Sequence, residues 1–109
     1  MFNVVSNPTF TRTVPVSVPS GDGFDEQSLK ATFNLLTDGE KEAFDVSTTD
    51  GVKDFLRAAV VRLDDLADED GKPVAYTPEI LEGLLGRGYV RLALLTTYTR
   101  AQIKAVTGN

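Results

Sequence analysis

The sequence predicts an α+β fold, in which an N-terminal β-hairpin packs on a small bundle of three to four α-helices. Three observations predict it. Apolar and polar side chains alternate between residues 9 and 36; apolar residues recur at three- and four-residue spacing further on; and the change of period falls at Thr37-Asp38-Gly39-Glu40, which has capping-box spacing. The 109 residues are read as one domain spanning 1–109. A chain of this length buries roughly two thirds of its unfolded surface, enough for one modest core.

In the first strand Phe10, Val14, Val16 and Val18 alternate with Thr11, Thr13 and Ser17. Pro15 has no N–H for a ladder, so this strand belongs at an edge or carries a bulge there. Pro19-Ser20-Gly21-Asp22-Gly23 reads as a turn-rich loop. Leu29, Ala31, Phe33 and Leu35 then mark a second strand, so the connection is expected to be a loose one of about nine residues. A lone hairpin is marginal in water, and its apolar face must rest on helices or on another subunit.

A short helix is expected over 38–45 and a longer one over 50–67. The second would carry Val52, Phe55, Leu56, Ala59, Leu63 and Leu66 as one stripe, with Lys53, Arg57 and Asp64 opposite, and end at Asp68-Glu69-Asp70-Gly71. Ser47, Thr48, Thr49 and Asp50 all offer N-caps for it. Thr77, Pro78 and Glu79 form a strong start for a third helix, 78–86. After the Gly86-Arg87-Gly88 break, a last helix is read over 89–106. Its main stripe is Val90, Leu94, Tyr98 and Ala101, widened by Leu92 and Leu95. An apolar girdle that wide calls for deep burial or a partner.

Composition narrows the chemistry. There is no cysteine and no histidine, which removes disulfides, thiolates, imidazole bases and the usual zinc ligands. No apolar run reaches the length of a membrane span, and the opening residues Met1-Phe2-Asn3 do not read as a secretory signal. The net charge of −5 hides a split: residues 1–71 carry 6 basic and 14 acidic side chains, and residues 72–109 carry 5 basic and 2 acidic. An acidic chain is a poor binder of phosphate backbones, so no nucleic-acid partner is expected. The split would let the acidic part of one molecule meet the basic end of another, although it also suits a plain soluble surface.

The acidic run only partly matches a calcium-binding loop. With Gly71 at position 6 of an EF-hand, Asp68 and Asp70 fall correctly at 3 and 5, but Leu66 and Thr77 fall at 1 and 12. The loop fails, and no metal or cofactor is expected. Asp64, Asp65, Asp68 and Glu69 crowd at what would be a helix C-terminus, an arrangement that fits a solvated turn better than an acid and base across a cleft. Gly86-Arg87-Gly88 lacks the strand-loop-helix context of a phosphate loop. Tyr76, Tyr89 and Tyr98 are candidate partner anchors, or core tyrosines with satisfied hydroxyls.

The order of strand pair, central helix, Asp68-Glu69-Asp70-Gly71-Lys72-Pro73-Val74-Ala75-Tyr76-Thr77-Pro78-Glu79 and a final Val90-Arg91-Leu92-Ala93 helix resembles the tail assembly chaperones of long-tailed bacteriophages. The likeness runs over most of the chain, through Tyr98 and Ala101 to Gly108-Asn109. One departure is Leu63 and Leu66, where many members carry an aromatic residue. The resemblance implies a non-enzymatic protein of the host cytoplasm, absent from the mature virion. It would coat the helical tape measure protein, keep it soluble and help recruit tail tube subunits. In many members a frameshifted longer form contacts the tube protein, and this chain would be the short product. Self-association is expected as well. The alternative is a structural subunit of the tail. The residues expected to meet a partner are Asp68, Glu69, Asp70, Tyr76, Tyr89, Arg91, Leu95 and Tyr98.

Overall fold

A computed structural model describes residues 1–103 of the chain. Its fold is α+β: an N-terminal antiparallel hairpin, β1 (Thr9–Ser20) and β2 (Gly23–Asn34), is followed by α1 (Asp38–Lys41), α2 (Thr49–Ala59), β3 (Val60–Asp64), β4 (Leu66–Ala67), β5 (Pro73–Val74), α3 (Pro78–Leu85) and α4 (Gly88–Arg100). Strand order in the main sheet is β1-β2-β3, all antiparallel, and β4 and β5 form a separate two-stranded hairpin.

The hairpin is tighter and longer than the sequence suggested. Ser20 pairs with Gly23, which leaves Gly21 and Asp22 as a two-residue turn, and Gly21 sits at φ +58° as the first residue of a type II′ turn requires. The expected nine-residue loop is therefore mostly strand. Gly23–Ser28 carry no apolar alternation because this stretch of β2 is exposed throughout, and only Val16 and Val18 of the facing strand still reach the core. The two-residue turn also fixes the parity of β1. Ser20 and the other even-numbered residues exchange backbone hydrogen bonds with β2, and the odd-numbered ones turn theirs outward. Pro15 and Pro19 both stand at outward positions of this edge strand, where a missing N–H costs nothing.

The expected helix over 50–67 is corrected. Helix α2 stops at Ala59, Val60 takes an extended conformation (φ −81°, ψ 118°), and residues 60–64 become the third strand. The consecutive β-branched Val60 and Val61 favour that conformation. A register shift at Thr32/Phe33 then lets Val60 and Leu63 both face inward at a three-residue spacing, which imitates a helical stripe in the sequence. The acidic run is consequently not at a helix end, and no helix dipole opposes it.

Caps largely follow the sequence. The Thr37 hydroxyl accepts from the Glu40 N–H and the Glu40 carboxylate accepts from the Thr37 N–H, a complete capping box, but α1 closes at Lys41 instead of 45. Thr48 proves to be the cap of α2, accepting from Gly51 at 3.0 Å. Gly51 is buried so closely against the Asp45 carbonyl that a Cβ there would collide with it. Thr77 caps α3, with Pro78 in its first turn. The last helix ends at Arg100, with a turn at 101–102, and the part expected over 104–106 lies outside the described residues, as do Gly108 and Asn109.

The core lies between the inner face of the sheet and helices α2, α3 and α4. Val14, Ala31, Phe33, Leu56, Ala59, Leu63, Leu85 and Leu94 are fully shielded. Tyr98 is its keystone: its ring meets Phe10, Phe33 and Phe55 at centroid distances of 5.8, 5.5 and 5.2 Å, and its hydroxyl accepts the Leu36 N–H at 2.9 Å. Each such ring pair adds about 0.5–1.5 kcal/mol beyond area burial. The hydroxyl bond joins the end of the hairpin to α4. Arg57 ties α2 to α3 through a two-pronged bond to Glu82 (2.7 and 2.8 Å), which holds the Glu82 carboxyl below its ordinary value and the guanidinium more firmly protonated.

Candidate partner-binding surface

Helix α4 has two sides with opposite fates. Val90, Leu94 and Tyr98 face the core. Leu92, on the other side, is 67% exposed, and Leu95 is half-buried. Burial therefore covers only one side of the wide apolar girdle.

Between that exposed side and the outer edge of β1 runs a groove of about 540 Å³. Tyr89, Leu92, Ala93, Thr96, Thr97 and Arg100 form its helical wall, spaced so that they make one face of α4. The opposite wall is Thr13, Pro15 and Ser17, and Phe24, 68% exposed, closes it from β2. Arg12 and Arg100 contribute guanidinium groups, and no carboxylate belongs to the lining. Glu26 accepts from the Ser17 hydroxyl from the neighbouring strand at 2.9 Å. Arg12 lies over the Phe10 ring, 5.2 Å from its centre, and donates to the Thr11 carbonyl.

The pairing of charges is uneven. Arg57 and Arg62 hold carboxylates at 2.6–2.7 Å. Among the described residues, none of the four arginines around α4 does: Arg87 reaches the Tyr89 hydroxyl, Arg91 the Leu85 carbonyl, Arg12 the Thr11 carbonyl, and Arg100 no recorded partner. Of these four, Arg12 and Arg100 share the groove between β1 and α4, whose lining is also apolar at Phe24 and Leu92.

A second groove, of about 410 Å³, lies under the hairpin between Val16, Val18 and Leu29 on one side and Leu66, Val74, Ile80, Leu84 and Tyr89 on the other. Asp65 lines it at φ +63°, a left-handed conformation that no other non-glycine residue adopts among those described. The N-terminal segment, which enters β1 at the base of the hairpin, adds exposed Phe2, Val4 and Val5.

The residues expected to meet a partner fall into separate places. Asp68, Glu69 and Asp70 are exposed in the loop of the β4–β5 hairpin, where the Asp68 carboxylate accepts the N–H groups of Asp70 and Lys72 and Gly71 supplies φ +79°. This is a self-capped turn. Tyr76 is half-buried against the core beside Glu79 and Glu82; burial first, and then those charges, push its hydroxyl pKa up. Tyr89, Arg91 and Leu95 all border grooves along α4. Tyr98 is 2% exposed and belongs to the core, out of reach of any partner that leaves the fold intact. Arg12, Phe24 and Arg100 also line the groove without being among the residues expected to meet a partner. Phe24 carried a signal, as a lone aromatic in an otherwise polar stretch.

Among the described residues no charged side chain is buried, and no helix is long and apolar enough to cross a membrane. No family model, curated protein or solved structure matches the chain.

Proposed function

We propose that this protein is a non-enzymatic phage tail assembly chaperone, which binds the tape measure protein and keeps it soluble while tail tube subunits are recruited. The observation that carries the reading is the open groove along α4, with Phe24 and Leu92 exposed at its rim. A helix that commits one side to the core and leaves an apolar side in water has the form of helix-in-groove recognition. The Asp68–Glu79 segment supplies the family resemblance, and the absence of histidine and cysteine from the sequence suits a binding role. The protein would act in the host cytoplasm, associate with copies of itself, reach the tube protein through a longer frameshifted form, and leave before the virion is complete.

The projecting half of the hairpin favours a second reading, a structural subunit of the tail, since such arms reach neighbouring subunits in assemblies. Virion composition separates the two: a subunit persists in finished particles and a chaperone does not.

The test is to express the tape measure protein of the same phage with and without this chain, followed by size-exclusion chromatography with light scattering. The chaperone reading expects a soluble tape measure that co-elutes with many copies of this protein. An insoluble tape measure, with this chain eluting alone, would reject it.

A further inference from the structure

We propose that the groove between β1 and α4 receives an acidic amphipathic helix of the partner, its apolar face on Leu92 and Phe24 and its carboxylates on Arg12 and Arg100. This deepens the reading given above, and rests on it, by assigning the surface and the chemistry of its occupant.

Charge carries the first step. The lining holds two guanidinium groups and no carboxylate, and neither Arg12 nor Arg100 has an acidic partner among the described residues. Elsewhere Arg57 and Arg62 are neutralised by the chain's own acids. An occupant that brings Asp or Glu to the two arginines completes charge-assisted hydrogen bonds the chain leaves open.

Backbone chemistry carries the second step. The open edge of β1 would invite strand addition, but its outward positions include Pro15 and Pro19. A strand laid there would find no donor opposite two of its carbonyls, and leaving polar groups unpaired in an apolar groove is costly. A helix satisfies its own backbone and presents only side chains. The wall from Tyr89 to Arg100 spans about 17 Å, so three turns of a helix fit alongside it.

The experiment is an NMR titration of the full ¹⁵N-labelled chain with two side-chain-stapled helices of about 15 residues, long enough to span the groove. Both carry the same leucine face. One flanks it with glutamates and the other with lysines at the same positions. The expected result is shift changes at Phe24, Leu92, Thr96 and Arg100 with the glutamate helix, and at least tenfold weaker binding of the lysine helix. In the Arg12→Glu/Arg100→Glu variant the preference should invert, a swap that simple unfolding cannot produce. Equal affinity for the two helices, shifts confined to other surfaces, or no shift up to about 1 mM peptide would overturn the proposal. So would groove signals that broaden with protein concentration before any peptide is added, since a second copy would then be the occupant.

Co-expression with the tape measure separates this proposal from the function it rests on. If the wild-type chain solubilises the tape measure and a folded Leu92→Glu variant does so equally well, the groove is wrong and the chaperone reading stands. If the wild-type chain fails, the chaperone reading falls.

Discussion

The two halves of the β1–β2 hairpin share one ladder and one register, yet only one of them is part of the core. Toward its base, Val14, Val16, Leu29, Ala31 and Phe33 are buried under the helices. From Ser17 to Ser28 every residue except the half-buried Val18 is exposed, on strands that continue without a break. Cross-strand hydrogen bonds hold both halves, but apolar cover is spent on the base alone. The difference teaches that the base sets stability, while the projecting half is free to carry Phe24 and the edge of the groove.

Substitutions should divide along the same line. Phe33→Ala at the base removes a fully buried ring that meets Phe10 and Tyr98, and should cost about 3–5 kcal/mol. A urea or thermal melt will read it, and a loss below 1 kcal/mol would mean the base is not the core. Tyr98→Phe keeps the ring but leaves the Leu36 N–H without its acceptor, for an expected cost of about 1–3 kcal/mol. At the far end, Gly21→Ala meets open space, so the only cost is backbone strain at φ +58°, about 1–3 kcal/mol by the same melt. Phe24→Ser, three residues away, should leave stability within about 0.5 kcal/mol and weaken partner binding instead. A large stability loss there would break the comparison.

The smallest effect lies away from the hairpin. Because Arg57 depresses the Glu82 carboxyl, this pair stabilises the protein above the ordinary glutamate value of 4.5, and the contribution disappears as pH falls through the lower folded value. Glu82→Gln should therefore melt slightly earlier than the parent at neutral pH and together with it near pH 3. A gap that persists in acid would show that the two-pronged bond is not the cause.

Much of the fold was legible from local chemistry. The capping box at Thr37/Glu40, the Thr77-Pro78 start and the edge position implied by Pro15 each depend on a few neighbouring residues, and each is present. What was not legible depended on distant partners. Strand β3 hid inside an apparent helical stripe because a register shift against β2 gives Val60 and Leu63 the same spacing a helix would. The projecting half of the hairpin looked like a loop because apolar alternation signals burial and is silent about pairing. At the candidate surface the wide girdle of α4 was readable, but which of its sides stays in water was decided by the sheet. Tyr98, read both as part of the main stripe and as a partner anchor, goes to the core, and Leu92, which only widened that stripe, goes to solvent.

The most direct measurement is amide hydrogen exchange of the full chain, alone and in the proposed complex with the tape measure protein. In the free protein the outward-facing amides of Thr13 and Ser17 should exchange fast and those of Phe33, Leu56 and Leu94 slowly. The account predicts that the partner slows exchange at Thr13, at Ser17 and along Leu92–Arg100, and leaves the core amides unchanged. Slowing confined to the Asp68–Lys72 turn, or spread evenly through the core, would contradict it.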